Sequence, residues 1–329
     1  MNWLVTGGCG FIGRALITSL LAEGGHRIRV IDNLTVGSQD DLELVGAVMR
    51  KDLADLSADW DECLVLAEGD IRNAADMSKA AQGADIVVHL AANTGVFPSV
   101  QDPRFDCETN VFGVLNTLEA CREHGVARMV FASSGAPLGV QTPPLHEELA
   151  PHPASPYGAS KLAGEGYCSA YYHCFGVESV VLRFGNVYGE GSTHKASVVA
   201  KFIKQALAGE KLEVYGDGSQ TRDFIHIEDL VKAIRAAATM PGVGGETFQI
   251  ATSAETTVGD LTERLVAALE AEGVKDVEYF NGEARQGDVQ RNFSDTAKAA
   301  RMLDWQAQVD LDRGLARTVR FFLEREPAQ

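Results

Sequence analysis

The sequence predicts an α/β protein whose core is a doubly wound parallel sheet. In the first half of the chain, short apolar runs alternate with amphipathic stretches of helical length, starting with Trp3 to Val5 and the helix Phe11 to Glu23. This alternation is typical of βαβ units, in which a helix connects each parallel strand to the next. The run Ile86 to Leu90 is apolar except for His89, as is typical of a strand buried on both faces. Further strands are predicted at 28–31, 63–67, 129–131, 179–182 and 248–250, and further helices at 74–82, 106–124, 156–175, 196–208 and 258–272.

Turn-forming residues become denser after residue 185. Glycines cluster from Gly185 to Gly191 and again at Gly216 and Gly218, and such clusters mark loops. We therefore expect a larger domain over 1–185, to which about 224–255 returns. A smaller, interleaved C-terminal substrate lobe is then formed by 186–223 and 256–329.

Composition excludes several classes of partner. The 329 residues include 29 basic and 46 acidic ones, for a net charge of −17. A surface of this sign repels nucleic-acid phosphates and anionic lipid, so neither a nucleic acid nor a membrane is an expected partner. The six cysteines form no C-x-x-C pair, which predicts no metal site and no disulfide framework. Free thiols are typical of a reducing, cytoplasmic location.

A glycine-rich loop follows the first predicted strand directly. Gly7, Gly10 and Gly13 are spaced G-x-x-G-x-x-G and open the helix that begins at Phe11. Such a loop lets the backbone approach a pyrophosphate, which the free N–H groups and positive dipole end of the helix then bind. Asp32 ends the second strand, where a carboxylate accepts hydrogen bonds from a ribose 2′-OH and favours NAD over NADP. These features predict a Rossmann-type dinucleotide site.

Asp70 and Ile71 follow another short strand and precede a helix. In this kind of fold, Asp70 could contact the adenine amino group of the cofactor. The alternative is that Asp70 caps the helix that begins near Asn73.

A second motif carries acid–base chemistry. Tyr157 and Lys161 are four residues apart on a predicted helix, so both side chains lie on one face and can meet one ligand. A free tyrosine has a pKa of about 10, and we expect the Lys161 ammonium and an oxidised nicotinamide to lower it toward working pH. Ser133 and Ser134 end the strand that contains Phe131, at the sheet edge where ligands bind. Tyr157 is therefore a candidate base, and Ser134 a hydroxyl that shares the substrate proton.

Taken together, the motifs resemble a known family. In order they are TGGCGFIG, Asp32-Asn33-Leu34, Asp70-Ile71, His89-Leu90-Ala91-Ala92, Asn110, Ser133-Ser134, Tyr157-x-x-x-Lys161, Arg183-Phe184-Gly185-Asn186 and Arg222-Asp223-Phe224-Ile225-His226. This set resembles the extended short-chain dehydrogenase/reductases, specifically the NAD-dependent nucleotide-sugar epimerase/dehydratase family, and most of all its UDP-hexose 4-epimerases.

The resemblance implies roles for matching residues. The catalytic residues would be Tyr157, Lys161 and Ser134. NAD would be held by Gly7, Gly10, Phe11, Ile12, Gly13, Asp32, Asn33, Asp70, Ile71, Leu90, Ala91, Ala92, Asn110, Ser133, Tyr157, Lys161 and Gly185. The nucleotide sugar would contact Ser134, Asn186, Val199, Tyr215, Arg222, Arg285 and Asp288. Gln286 stands in the R-Q-G-D segment where the family has proline.

The resemblance also narrows the reaction. Family members oxidise C4 of a nucleotide sugar to a 4-keto sugar and then differ. Similar dehydratases carry an acidic residue directly after the Ser/Thr that corresponds to Ser134, whereas this chain has Gly135. A UDP-sugar 4-epimerase is therefore favoured, with a dehydratase or a non-catalytic NAD-binding sensor as alternatives. Asn292, seven residues after Arg285, stands where a tyrosine excludes a 2-acetamido group, so UDP-GlcNAc and UDP-GalNAc join UDP-glucose and UDP-galactose as candidate substrates.

The resemblance implies a homodimer as well. Members pair through a four-helix bundle, which here would be the helices predicted at 106–124 and 156–175. The second carries Tyr167, Tyr171, Tyr172 and Phe175, more aromatic surface than one core face requires.

Overall fold

A parallel eight-stranded sheet forms the centre of the protein. The computed structural model describes residues 1–283 and 289–325. The strands are β1 (Asn2–Thr6), β2 (Arg27–Asp32), β3 (Met49–Arg50), β4 (Leu64–Glu68), β5 (Ile86–His89), β6 (Arg128–Ser134), β7 (Ser179–Phe184), β8 (Asn186–Tyr188), β9 (Leu212–Tyr215), β10 (Thr221–Arg222), β11 (Phe224–His226), β12 (Thr247–Ile250), β13 (Thr256–Thr257) and β14 (Tyr279–Gly282).

The strand order across this sheet is β12-β7-β6-β5-β1-β2-β4-β3, and every neighbouring pair is parallel. The strands β2, β3 and β4 lie on one side of β1. The chain then crosses to the other side of β1, where β5, β6, β7 and β12 follow in order. The point at which the direction changes lies between β1 and β5, and ligands of open α/β sheets bind outside the carboxyl ends of the strands there. The predicted Rossmann-type fold class is confirmed.

Twelve α-helices lie within the described residues. They are α1 (Phe11–Glu23), α2 (Gln39–Glu43), α3 (Ala74–Ala81), α4 (Val96–Gln101), α5 (Pro103–Cys107), α6 (Gly113–His124), α7 (Pro156–Phe175), α8 (Val198–Leu207), α9 (Ile227–Thr239), α10 (Val258–Ala271), α11 (Ala297–Leu303) and α12 (Leu311–Arg325). Short 3₁₀ turns occupy Leu53–Asp55 and Ala136–Leu138. No helix in the described ranges is both long and apolar enough to cross a membrane.

The continuous helix predicted over 106–124 is wrong in detail. The structure places α5 first, a π-helical turn over Glu108–Phe112 next and α6 last. The extra backbone residue of a π turn changes which side chains face inward, and such turns are frequent at functional sites. Here the turn contains Asn110, whose side chain is 1% exposed and fully hydrogen-bonded inside the protein.

Three apolar cores hold the molecule together. On one face of the sheet, Trp3 and Val5 pack with the buried side chains of α1 and α9. On the other face, Leu4 packs with α3, α6 and α7. Successive residues of β1 alternate between the faces, as a strand covered on both sides requires. A third core, built by α8, α10 and α12, belongs to the C-terminal part of the chain.

That C-terminal part also carries three two-stranded sheets, β8 with β11, β9 with β14 and β10 with β13. β8 follows β7 directly, and Asp223 between β10 and β11 accepts from the Thr252 N–H just after β12, so two of these small sheets adjoin the carboxyl edge of the large sheet. The candidate site lies at this edge.

Candidate active site

At two positions, the glycine loop passes too close to neighbouring backbone for a side chain. Gly7 has φ = +69°, and a Cβ atom there would lie 2.8 Å from the backbone nitrogen of Ala91. A Cβ atom at Gly13 would lie 2.6 Å from Cα of Gly8. Glycine at these positions therefore brings the N-terminus of α1, at Gly10, Phe11 and Ile12, to the surface of the site. No side chain caps this end of the helix, so its N–H groups suit the pyrophosphate of a dinucleotide.

Asp32 lies beside this loop, at the end of β2. Its carboxylate accepts hydrogen bonds from the backbone N–H of Cys9 (3.0 Å) and of Leu34 (2.9 Å). Burial raises the pKa of Asp32, and these bonds act in the opposite direction. Two backbone bonds leave lone pairs on both oxygens, so the carboxylate can still accept from a ribose. Asn33 follows, and its side chain accepts from the Thr35 hydroxyl at 2.8 Å.

Asp70 does not cap a helix. The cap of α3 is Asn73, whose side chain accepts from the backbone N–H of Ala75 at 3.0 Å. Asp70 instead pairs with Arg72 at 2.7 Å, and hydrogen bonding to that guanidinium lowers the pKa of Asp70. Ile71 is buried, and its carbonyl accepts from the Asn116 amide at 2.8 Å. Adenine contact by Asp70 stays a prediction.

The segment after β5 is anchored to β1 and to α7. The backbone N–H groups of Leu90 and Ala91 each donate to the Thr6 hydroxyl at 3.1 Å, and Ala92 comes next in the chain. Asn110 then accepts from the Asn93 N–H at 2.8 Å and donates to the Ser160 hydroxyl at 3.1 Å. Asn110 therefore connects this segment to the helix that carries the Tyr–Lys pair.

The structure brings Tyr157, Lys161 and Ser134 together. The Ser155 hydroxyl caps α7 by accepting from the Gly158 N–H at 3.1 Å, and Pro156 occupies the first turn. This start places Tyr157 beside the end of β6, where the Ser134 hydroxyl is near enough to the phenol to act on its pKa. The Lys161 Nζ lies 6.0 Å from the centre of the Tyr157 ring and donates to the Ala132 carbonyl at 2.8 Å.

Sequence reasoning missed the ion pair that supports this group. The Ser133 hydroxyl donates to Glu165 Oε1 at 2.6 Å, and Arg183 binds both oxygens of Glu165 at 2.9 and 2.7 Å. Both charged side chains are only 6% exposed. Ala132 and Ser133 of β6 thus bind Lys161 and Glu165 of α7, and Ser134 lies near Tyr157. The available signal was the spacing of Glu165, four residues after Lys161 on the same helix.

Burial opposes ionisation of both members of the Tyr–Lys pair. It raises the pKa of Tyr157 to about 12, although the Ser134 hydroxyl acts to lower it. It lowers the pKa of Lys161 to about 8, against the charges of Asp106 and Glu165. The protein alone therefore shifts the pKa of Tyr157 opposite to the sequence prediction. The prediction named two positive charges, the Lys161 ammonium and the oxidised nicotinamide. Of these, the nicotinamide is the charge left to favour the phenolate.

Gly185 and three of the predicted substrate-contacting residues have identified polar or backbone partners among the described residues. The Gly185 N–H donates to the Ile250 carbonyl and the Asn186 N–H to the Asp223 carbonyl. Tyr215 accepts from Lys201 at 3.3 Å, and Arg222 donates to the Val289 carbonyl at 2.6 Å. Val199 differs, because its side chain is buried in the C-terminal core and only its backbone could reach a ligand. Arg285 and Asp288 lie outside the described residues.

Asp223 is a further residue that sequence reasoning quoted only within a motif. It is 2% exposed and accepts from the backbone N–H groups of Thr252 (2.7 Å), Ser253 (3.1 Å) and Ser294 (3.3 Å). It thus joins the connection between β10 and β11 to two other segments, the loop at 252–253 and the loop at 294. In the part of the chain that the structure describes, no cluster of His, Cys, Asp and Glu has the arrangement of a metal site.

Comparison with known proteins agrees with this architecture. Residues 3–251 match the model of the NAD dependent epimerase/dehydratase family. A UDP-glucose 4-epimerase of Mycolicibacterium smegmatis is 36% identical, with 98% of each chain covered. The crystal structure of a Thermotoga maritima UDP-glucose 4-epimerase with UDP-glucose has a TM-score of 0.86 at 32% identity, with 99% of each chain covered.

A dTDP-glucose 4,6-dehydratase of Streptomyces venezuelae, solved with NAD bound, is similar to the same degree. Its TM-score is 0.86 at 31% identity, with 100% of each chain covered. Overall similarity thus does not separate the two reactions. What it does establish is that this chain belongs to the NAD-dependent epimerase/dehydratase family.

Proposed function

We propose that this protein is an NAD-dependent 4-epimerase of UDP-sugars, an isomerase that inverts C4 through a 4-keto intermediate. The observation that carries the proposal is the group formed by Tyr157, Lys161 and Ser134 at the end of β6, at the same edge of the parallel sheet as the glycine loop that follows β1. A protein that only senses NAD needs the loop but not a proton acceptor placed beside it.

Each of these side chains has a separate task. The Tyr157 phenolate accepts the proton of the sugar C4 hydroxyl and later returns it to the same oxygen. The Ser134 hydroxyl forms a hydrogen bond with the sugar C4 oxygen while that oxygen loses and regains its proton. The Lys161 ammonium is fixed on the Ala132 carbonyl, 6.0 Å from the centre of the Tyr157 ring, and adds positive charge to the side of the site where the cofactor binds. NAD, when bound at the glycine loop and Asp32, supplies the hydride acceptor that oxidation of an alcohol requires.

The chain after β6 argues against a dehydratase. Loss of water from the sugar needs a general acid and base near C5 and C6, but Gly135 follows Ser134, and the 3₁₀ turn after it consists of Ala136, Pro137 and Leu138. None of these carries a proton-transferring side chain. Dehydration is therefore the second candidate, supported by the similarity to dTDP-glucose dehydratases.

We place the nucleotide diphosphate near Arg222 and Arg285, because an arginine can bind phosphate oxygens in pairs. Asn292 supports a broader choice of sugar. Its amide nitrogen is 4.0 Å from where a Cβ atom of Gly135 would lie, so it faces the residue next to Ser134. A side chain smaller than tyrosine at this place leaves room for a 2-acetamido group.

We propose that two copies of the chain pair through α6 and α7. Phe112, just before α6, is 52% exposed, and Tyr167 and Phe175 on α7 are 39% and 55% exposed. Large apolar side chains grouped in this way favour a partner surface. All six cysteines are free thiols, which fits the cytoplasmic location we expect.

Incubation with UDP-glucose, UDP-galactose, UDP-GlcNAc, UDP-GalNAc and dTDP-glucose, with products resolved by NMR, tests the proposal. We expect interconversion of the C4 epimers of the UDP-sugars. Tyr157→Phe should lower the rate by a factor of about 10² to 10⁴, the usual contribution of a general base, while NAD stays bound. A 4-keto-6-deoxy product would instead establish the dehydratase, and bound NAD without turnover of any sugar would establish the sensor.

A further inference from the structure

The loop between β8 and α8 crosses from the C-terminal lobe to the first helix of the large sheet. Arg14 of α1 donates to the Gly191 carbonyl at 2.8 Å and pairs with Asp41 at 3.0 Å, and Asp41 also contacts His194 at 3.0 Å. From the other side, Lys204 donates to the Lys195 carbonyl at 2.9 Å. The backbone on both sides of Lys195 is thus held in place.

The side chain of Lys195 contacts the first residue of α1. Its Nζ lies 5.4 Å from the centre of the Phe11 ring, and Phe11 is the first residue of α1, directly after Gly10. In a chain with 46 acidic residues, no carboxylate of the described ranges pairs with this ammonium. Burial accordingly lowers the pKa of Lys195.

A bound anion would complete this arrangement. The face of the Phe11 ring attracts the half-buried ammonium, but the N-terminus of the helix carries a partial positive charge of the same sign. An ammonium that no carboxylate of the described ranges neutralises is therefore stabilised further by an anion. The uncapped N–H groups of α1 and the Lys195 ammonium can both bind phosphate oxygens located between them.

We propose that Lys195 binds the pyrophosphate of the dinucleotide cofactor, as a cation that the C-terminal lobe contributes to the NAD site. The glycine loop has no cationic side chain from Gly7 to Gly13, so Lys195 supplies the charge that the loop lacks. The contact also joins the two parts of the chain across the cofactor. This proposal rests on NAD binding and not on the identity of the sugar or on the reaction.

The test compares ligand binding to cofactor-stripped wild type and Lys195→Met, a change that keeps the apolar stem and removes the charge. Loss of a charge-assisted bond predicts a Kd for NAD about 10- to 100-fold higher. The same loss should appear with ADP-ribose, which has the pyrophosphate, and not with adenosine, which lacks it. Less NAD should also remain in the variant as purified.

Two further variants make the result specific. Lys211→Met changes the net charge equally, but Lys211 is exposed and paired with Glu278 in the C-terminal lobe, so binding of NAD should not change. Lys195→Arg keeps the charge and should retain most of the affinity, which also shows that substitution at this position permits folding.

Wild-type affinity of Lys195→Met for NAD and ADP-ribose would overturn the proposal. So would a loss of affinity confined to UDP, because that result would assign Lys195 to the substrate diphosphate. Every readout in this test is ligand binding, so it is independent of the epimerase assay. Unchanged affinity of Lys195→Met for NAD contradicts the role of Lys195. Failure of the wild type to epimerise any sugar contradicts only the proposed function.

Discussion

At the scale of one residue, burial and charge compete for the proton of Tyr157. The phenol lies against the end of β6, where desolvation raises its pKa to about 12. The Lys161 ammonium is oriented toward the Ala132 carbonyl rather than the phenol. The protein by itself therefore keeps Tyr157 protonated, and ionisation depends on the additional positive charge of the nicotinamide.

A difference titration of wild type against Tyr157→Phe, followed by the ultraviolet absorbance of tyrosinate, tests this dependence. In cofactor-stripped protein, we expect the Tyr157 signal to appear near pH 12, above the value of about 10 for a solvated tyrosine. Oxidised NAD should move the signal to lower pH, and reduced NADH should move it less. Ionisation of Tyr157 at or below about pH 10 without NAD would contradict this account.

At the scale of elements, β6 and α7 are held in register by buried polar contacts. Lys161, Glu165 and Tyr157 of α7 meet the three residues that end β6, and Arg183 of β7 binds Glu165 from the next strand. A buried ion pair contributes little net stability, but loss of one partner leaves an uncompensated charge. The Glu165–Arg183 pair should therefore act mainly by fixing the position of Tyr157 and Lys161.

A double-mutant cycle on Glu165→Leu and Arg183→Met measures this role. Each single change should lower the free energy of unfolding by about 3–5 kcal/mol, because it strands a buried charge, and the double variant should lose less than the sum. Urea denaturation gives these values. The exposed pair Arg264–Asp312 serves as the control, and Arg264→Met should cost no more than about 1 kcal/mol. Additive losses at Glu165 and Arg183 would show that the two side chains do not act as a pair.

Local patterns predicted the elements that have strong periodicity or sharp boundaries. The strand–glycine loop–helix unit from β1 to α1 was predicted from its glycine spacing. At Gly7 and Gly13, neighbouring backbone lies so close that no residue with a Cβ atom would fit. The π turn around Asn110 could not be predicted, because it depends on tertiary bonds to Asn93 and Ser160. Sequence analysis also predicted no helix where α9 and α12 lie, which are fixed by packing against the sheet and the C-terminal core.

The candidate site shows the same division. The motifs predicted that Ser134, Tyr157 and Lys161 meet, because strand ends of a parallel sheet and one helix face converge. Glu165 and Arg183 were not predicted, since a pair of opposite charges distant in sequence is usually a surface feature. Their burial arises only when β7 is placed beside β6.

At the scale of the whole molecule, the chain returns to the large sheet after forming β8 to β11 outside it. β12 pairs with β7 at the sheet edge, and α9 packs on the face that α1 also covers. Asp223 joins these regions through three backbone bonds. Because the two parts share strands and loops, we expect a single cooperative unfolding transition rather than two.

The proposed dimer interface contains exposed aromatic side chains. Phe112 and Phe175 are exposed on the α6–α7 surface, where Arg122 covers the Phe175 ring at 5.3 Å. Burying these rings against a second copy stabilises the pair, and an aspartate in place of each would bring unpaired charge into the interface. Light scattering coupled to size-exclusion chromatography should give a dimer mass for wild type and for the control Tyr279→Asp, which alters an exposed aromatic residue elsewhere. Phe112→Asp/Phe175→Asp should elute as a monomer with an unchanged circular dichroism spectrum. A monomeric wild type would contradict the dimer itself. A double variant that stays dimeric would show that the interface lies elsewhere on the surface.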